Sequence, residues 1–205
     1  MRPLPRLHAV TDARVLAMDD LGIRAAAIAS VGPGVALHAR DRRASDSRLS
    51  AAALRLVALA GPPEAAVLVN GHPEIARAVE AQGVQLGCDD LTPADARRVL
   101  AHGWIGVSVH REEEAEAAAA GGADFLMAGA IFPSPSHPGV APVGPLFVSR
   151  CARLGLPVIA IGGITPARAR EVRDAGGYGV AAISALWTAA DPAAVALEIL
   201  EAWNV

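Results

Sequence analysis

Short apolar runs of Val, Ile, Leu and Ala alternate along the chain with Ala-, Arg- and Glu-rich stretches whose apolar residues recur at helical spacing. That alternation predicts repeated βα units and a parallel sheet. Eight strands are predicted, over 7–11, 35–39, 66–69, 84–87, 104–109, 124–128, 157–161 and 178–184. The clearest helices are predicted over 47–60, 73–82, 92–101, 112–120, 165–175 and 192–203. Thr92-Pro93 and Thr165-Pro166 each place a capping hydroxyl before a proline at the first helical position. The run Pro157-Val158-Ile159-Ala160-Ile161 is apolar on both faces, which suits a strand with helices outside and packed side chains inside. A single α/β domain over 1–205, a (β/α)8 TIM barrel, accounts best for eight such units. An open doubly wound sheet is the alternative, because strand order is not written in the sequence.

Charge and composition narrow the partners. The formal net charge of -3 offers no basic field for nucleic acid or an acidic membrane surface. The most apolar stretches fall well short of the roughly 20 residues a bilayer span requires, and the N-terminus has no apolar export signal. A cytoplasmic protein acting on a small ligand is expected, with a homo-oligomer left open. Cys88 and Cys151 lack metal-ligand spacing and receive no chemistry. All 18 basic residues are arginine, so no lysine chemistry is possible.

The candidate chemistry sits where strands end. After the seventh strand, Ile161-Gly162-Gly163-Ile164-Thr165-Pro166 lets backbone approach a ligand closely and aims a helix N-terminus at it. Ile183-Ser184 follows the eighth strand, and in barrels these two loops often hold a phosphate together. Ser108 and His110 point the same way at the end of the fifth strand, as catalytic groups or as a polar cap on the core. Glu112, Glu113 and Glu114 read as first-turn acids favoured by the helix dipole. The segment 129–144 is the longest without a regular pattern. His137 is the only side chain in it that titrates near neutral pH, a candidate acid or base or else a solvated loop residue. Asp89 and Asp90 follow the fourth strand as turn residues or a Mg²⁺ ligand. Thr11-Asp12 after the first strand reads as a helix cap, with reach to the site as the alternative.

Taken in order, Ala9-Val10-Thr11-Asp12, Val84-Gln85-Leu86-Gly87-Cys88-Asp89-Asp90-Leu91, Gly106-Val107-Ser108-Val109-His110, the segment from Gly129 to Ser136 and Ala160-Ile161-Gly162-Gly163-Ile164 resemble the thiamine-phosphate synthase/TenI family. The resemblance covers essentially the whole chain. Its synthases couple a pyrimidine diphosphate to a thiazole phosphate with Mg²⁺ and basic residues on the diphosphate. Carried over, Gly162, Gly163, Ile183 and Ser184 form the thiazole-phosphate site, with Ser134 and Ser136 standing where the family has threonines. Asn70, Asp90 and Ser108 match pyrimidine-side positions, and Asp90 is the metal-ligand candidate.

The pyrimidine side otherwise departs from the family. A Gln-x-Arg-x-Lys segment is replaced by Ala36-Leu37-His38-Ala39-Arg40, an Asn-Asp pair by Asn70-Gly71, and a lysine by His137. Losing a carboxylate and fixed positive charge weakens the neutralisation of a leaving diphosphate. The expectation is therefore a TenI-like thiazole tautomerase, which aromatises its phosphorylated thiazole by moving a proton and requires no cofactor. Because the usual TenI histidine is Ala130, His137 or His110 would carry the proton. A thiamine-phosphate synthase using Mg²⁺ is the first alternative, and a non-catalytic thiazole or thiamin phosphate binder the second.

Overall fold

Residues 3–61, 65–87, 89–134 and 141–204 are described by the computed structural model. Eight parallel strands close on themselves in sequence order: β1 (Leu7–Val10), β2 (Val35–Ala39), β3 (Ala66–Asn70), β4 (Gly83–Leu86), β5 (Trp104–Val109), β6 (Phe125–Gly129), β7 (Val158–Ile161) and β8 (Gly179–Ala182). The first and last strands pair through Leu7 with Val180 and Ala9 with Ala182, so no edge is left and the open-sheet alternative falls away. No helix among the described residues is long and apolar enough to cross a membrane.

Strand alternation sorts the side chains into two cores. Leu7, Val35, Leu37, Val67, Val69, Val84, Leu86 and their counterparts face the helices. Val10, Ala36, Leu68, Trp104, Phe125, Met127 and Ile159 fill the barrel interior. Interior volume is balanced locally: a Cβ at Gly106 would run into the Phe125 ring, so the aromatic occupies the room that glycine vacates.

The helices are α1 (Ala13–Leu16), α2 (Leu21–Ala29), α3 (Asp46–Ala60), α4 (Pro73–Ala78), α5 (Pro93–Val99), α6 (Glu112–Ala120), α7 (Pro145–Ala152), α8 (Pro166–Asp174), α9 (Ser184–Trp187) and α10 (Pro192–Leu200). Asp12 caps α1 as expected, its carboxylate accepting from the Val15 N–H at 2.9 Å. The Thr92 and Thr165 hydroxyls accept from the N–H groups of Asp95 and Arg168.

Three differences from the expected elements have physical causes. The helix α2 was not expected: Leu21–Ala29 carries one charged residue among Ala, Ile, Leu and Gly, so there is little polar contrast to reveal its period. The predicted eighth strand, 178–184, ends at Ala182, because Ile183 turns the chain into the single helical turn α9. The predicted helix 73–82 stops at Ala78, and Glu80 adopts a positive φ of 56° before β4 begins.

Candidate active site

The glycines after β7 build a cradle. Gly162 and Gly163 have φ values of 102° and 63°, a region that favours residues without a Cβ. Their loop is tied to the chain leaving β6, since Phe132 N–H donates to the Gly162 carbonyl at 3.1 Å and Ile131 N–H to the Ile161 carbonyl at 2.8 Å. Added Cβ atoms would meet Ala130 Cβ at 2.8 Å from position 162, and Phe132 Cβ at 2.9 Å from position 163.

Beside this cradle lies a cavity of about 320 Å³, lined by Ser134, Gly162, Gly163, Thr165, Arg168, Ile183, Ser184 and Thr188 among others. The structure thus brings together five of the six residues expected to hold a phosphorylated thiazole: Ser134, Gly162, Gly163, Ile183 and Ser184. Ser136 and His137 fall outside the described residues.

Arg168 is the member that sequence reasoning missed. Its guanidinium lies 4.8 Å from the Phe132 ring centroid and donates from Nη1 to the Gly163 carbonyl at 2.6 Å. No carboxylate partners it among the described residues. A signal existed: a cation in the first turn of α8 opposes the helix dipole, an arrangement that an anion at the same place would offset. A helical side chain also leans back towards the N-terminus, and hence towards the loop before it.

On the other half of the mouth, β1 to β5 turn polar side chains inward. His38 is fully buried; its Nδ1 lies 3.0 Å from the Asn70 carboxamide and its Nε2 2.8 Å from Nδ1 of the equally buried His8. Ser108 Oγ accepts from Gln85 Nε2 at 3.0 Å. Arg40 follows β2, held at its backbone by the Thr11 hydroxyl at 2.9 Å. Burial, then the neighbouring Arg42, lowers its pKa, with Asp12 and Asp41 opposing.

Asp90 accepts from the Gly87 N–H at 2.6 Å, and a Cβ at Gly71 would sit 3.4 Å from its Oδ2. Positions 71 and 90 are therefore neighbours, although only one carries a carboxylate. Among the described residues no three of His, Cys, Asp and Glu gather as a metal cluster.

His110 lies at the rim: its Nδ1–H donates to the Gly129 carbonyl at 2.5 Å, and its backbone N–H to Glu114 at 2.7 Å. One ring nitrogen is committed to holding β5 against β6. Glu114 and Glu112 serve the surface, pairing with Arg111 and Arg150. Cys151 is buried, its thiol pushed up to about 11 by desolvation first and Glu112 second, so it is inert near neutral pH.

The two interior histidines make folding sensitive to acid. Burial drives the pKa of His8 well down, helped by His38, and that of His38 to about 4 by burial with Arg40 adding. Both rings are neutral when folded but take up protons below about pH 6.5 when unfolded, so the unfolded state binds more protons and stability is lost as pH falls. Between pH 7 and 5 each histidine is expected to remove about 2 kcal/mol. Urea unfolding across that window checks this, and a flat stability profile would exclude a neutral pair.

The comparisons with known proteins agree with this geometry. The family model for thiamine monophosphate synthase matches residues 7–186. The thiamine-phosphate synthase of Salinispora tropica is 39% identical over 98% of this chain and 99% of its own, and that of Marinobacter nauticus 37% over 89% and 83%. The structure of thiamine phosphate pyrophosphorylase from Pyrococcus furiosus superposes with a TM-score of 0.81 at 31% identity, covering 96% of this chain and 94% of that one.

These relatives overturn the tautomerase expectation, since at near-complete coverage they are named synthases or pyrophosphorylases. The expectation gave the charges lost at 38, 71 and 137 more weight than Arg40, Asn70, Ser108 and Asp90, which the pyrimidine side keeps. By the match along its length and the relatives that cover it, the chain belongs to the thiamine-phosphate synthase/TenI family.

Proposed function

We propose that the chain is a thiamine-phosphate synthase, a cytoplasmic transferase that joins a pyrimidine diphosphate to a thiazole phosphate with release of inorganic diphosphate. The observation that carries this reading is the two-sided mouth: a glycine-built cavity with a guanidinium that has no carboxylate partner among the described residues on the β7–β8 side, and inward-facing polar groups with Arg40 and Asp90 beyond β1 to β5.

In this reading the amides of Gly162 and Gly163, the N-terminus of α8, the Ser184 hydroxyl and Arg168 hold the thiazole phosphate, whose charge suits all four. Holding it fixes the thiazole nitrogen against the pyrimidine carbon, converting a two-substrate encounter into reaction within one site. The bond from that carbon to the diphosphate oxygen breaks, and the nitrogen supplies the pair for the new C–N bond. No proton has to be removed for the coupling, so the interior histidines need supply no acid or base.

The departing diphosphate needs positive charge, and Arg40 supplies a fixed one. Mg²⁺ is the expected metal. One carboxylate, Asp90, fits a Mg²⁺ ion that takes its other ligands from diphosphate oxygens and water, which is the usual mode for this cation. When bound it would spread the leaving-group charge.

The test is incubation of the purified chain with pyrimidine diphosphate, thiazole phosphate and Mg²⁺. Formation of thiamin phosphate with stoichiometric diphosphate release is expected, and absence of product with folded protein refutes the reading. Within it, Arg168→Ala is expected to raise KM for the thiazole phosphate by roughly 10-fold while leaving KM for the pyrimidine diphosphate unchanged. Equal effects on both constants would remove Arg168 from the phosphate site.

A further inference from the structure

Three adjacent strands turn His8, His38 and Asn70 into the barrel, and the hydrogen-bond roles along this row are fixed from one end. His8 Nε2 lies 3.0 Å from the Pro5 carbonyl, which only accepts, so this nitrogen carries a hydrogen. Neither ring has a carboxylate partner among the described residues, and both are fully buried, which disfavours an imidazolium. A neutral imidazole has one N–H, so His8 Nδ1 is a bare acceptor. The 2.8 Å contact then requires His38 to donate from Nε2, which leaves His38 Nδ1 bare in turn.

That nitrogen faces Asn70 Oδ1 at 3.0 Å, acceptor against acceptor. The two ends of a carboxamide are almost the same in shape, and the hydrogen-bond network decides between them. Exchanging them lets Asn70 Nδ2 donate to His38 and turns the Asn70 oxygen away from it. Asn70 is the one half-buried residue of β3. Its exposed part therefore lies away from fully buried His38, on the side of the mouth.

We propose that His8 is a positioning residue: acting through His38, it sets the Asn70 carboxamide so that its oxygen, and not its amino group, is presented to a hydrogen-bond donor of the pyrimidine substrate. The row lies under the pyrimidine half of the mouth, so its use in recognition rests on the synthase reading, whereas the orientation itself does not. His8 also touches Phe125, with ring centroids 5.5 Å apart, and this holds the imidazole in place from the opposite wall.

Nitrogen-15 NMR of the histidine rings in the full chain at neutral pH tests the orientation without any substrate. His8 and His38 are both expected as neutral Nε2–H tautomers. An Nδ1–H tautomer or an imidazolium at His38 overturns the proposal whether or not the chain is a synthase.

Steady-state kinetics then tests the use. His8→Leu, which removes the acceptor for His38, is expected to raise KM for the pyrimidine diphosphate roughly 10-fold, the scale of one hydrogen bond to a buried group, with KM for the thiazole phosphate unchanged. His8→Asn, which keeps an acceptor oxygen facing His38, is expected to restore most of that loss. Asn70→Ala is expected to cost little further in the His8→Leu background. Additive effects of the two changes, or a failure of His8→Asn to exceed His8→Leu, overturn the positioning role.

Discussion

Gly163→Ala is expected to lower kcat/KM for the thiazole phosphate by at least about 100-fold, the scale of losing several charge-assisted contacts at once. Two costs coincide at this position. Its φ of 63° is left-handed, which an alanine occupies only at about 1 kcal/mol. The added methyl also points into the cradle, against the Pro133 carbonyl, 2.9 Å from Phe132 Cβ and 3.0 Å from Arg168 Nη1. Relief requires the β6 loop to retreat or the Arg168 guanidinium to swing away from the Gly163 carbonyl, and each opens the phosphate site. Stability is expected to fall by only about 1 to 3 kcal/mol, because the strain falls on rim loops and reaches the helix-facing core only at its margin, through Phe132. Kinetics and thermal unfolding of the same variant separate these effects. Unchanged kinetics in a folded variant would move the phosphate elsewhere.

The strands were legible because a parallel barrel buries both faces of each one, so runs such as Val158–Ile161 stand out as unbroken apolar segments between turn residues. Closure was not legible, since nothing in either segment says that Leu7 lies beside Val180. The site divides in the same way. Gly162, Gly163 and Ser184 were readable because paired loops after β7 and β8 have one common use in barrels. Arg168 was readable in principle from its place in the first turn of α8, but a helix that also carries Arg170, Glu171, Arg173 and Asp174 looks like any solvated face. His8 gave no signal: a single polar residue in Leu7–Val10 acquires meaning only when register brings it to His38, 30 positions on. The lost carboxylate misled for a related reason. Gly71 reads as a deletion of function in the sequence, whereas in the fold it is a place beside a surviving carboxylate, close enough for the two positions to be judged together.

The surviving carboxylate should therefore bear the whole load of that pair. Asp90→Asn is expected to lower kcat/KM for the pyrimidine diphosphate by at least about 100-fold and to weaken the dependence of rate on Mg²⁺, since no second acid at position 71 takes over. Asparagine keeps an oxygen to accept from Gly87 N–H, the bond now made at 2.6 Å, so the turn and overall stability are expected to change by less than about 1 kcal/mol. Calorimetric titration of Mg²⁺ into protein saturated with inorganic diphosphate reads the metal directly, apart from turnover. The converse variant, Gly71→Asp, would bring in a second carboxylate on a Cβ 3.4 Å from Asp90 Oδ2, at a φ of 78° that aspartate tolerates better than most residues. Tighter Mg²⁺ binding is expected there only in the presence of diphosphate, because two facing carboxylates repel without a cation between them. If Asp90→Asn instead binds Mg²⁺ and diphosphate as the parent does, the metal is held by the substrate alone and the mouth's positive charge must come from Arg40.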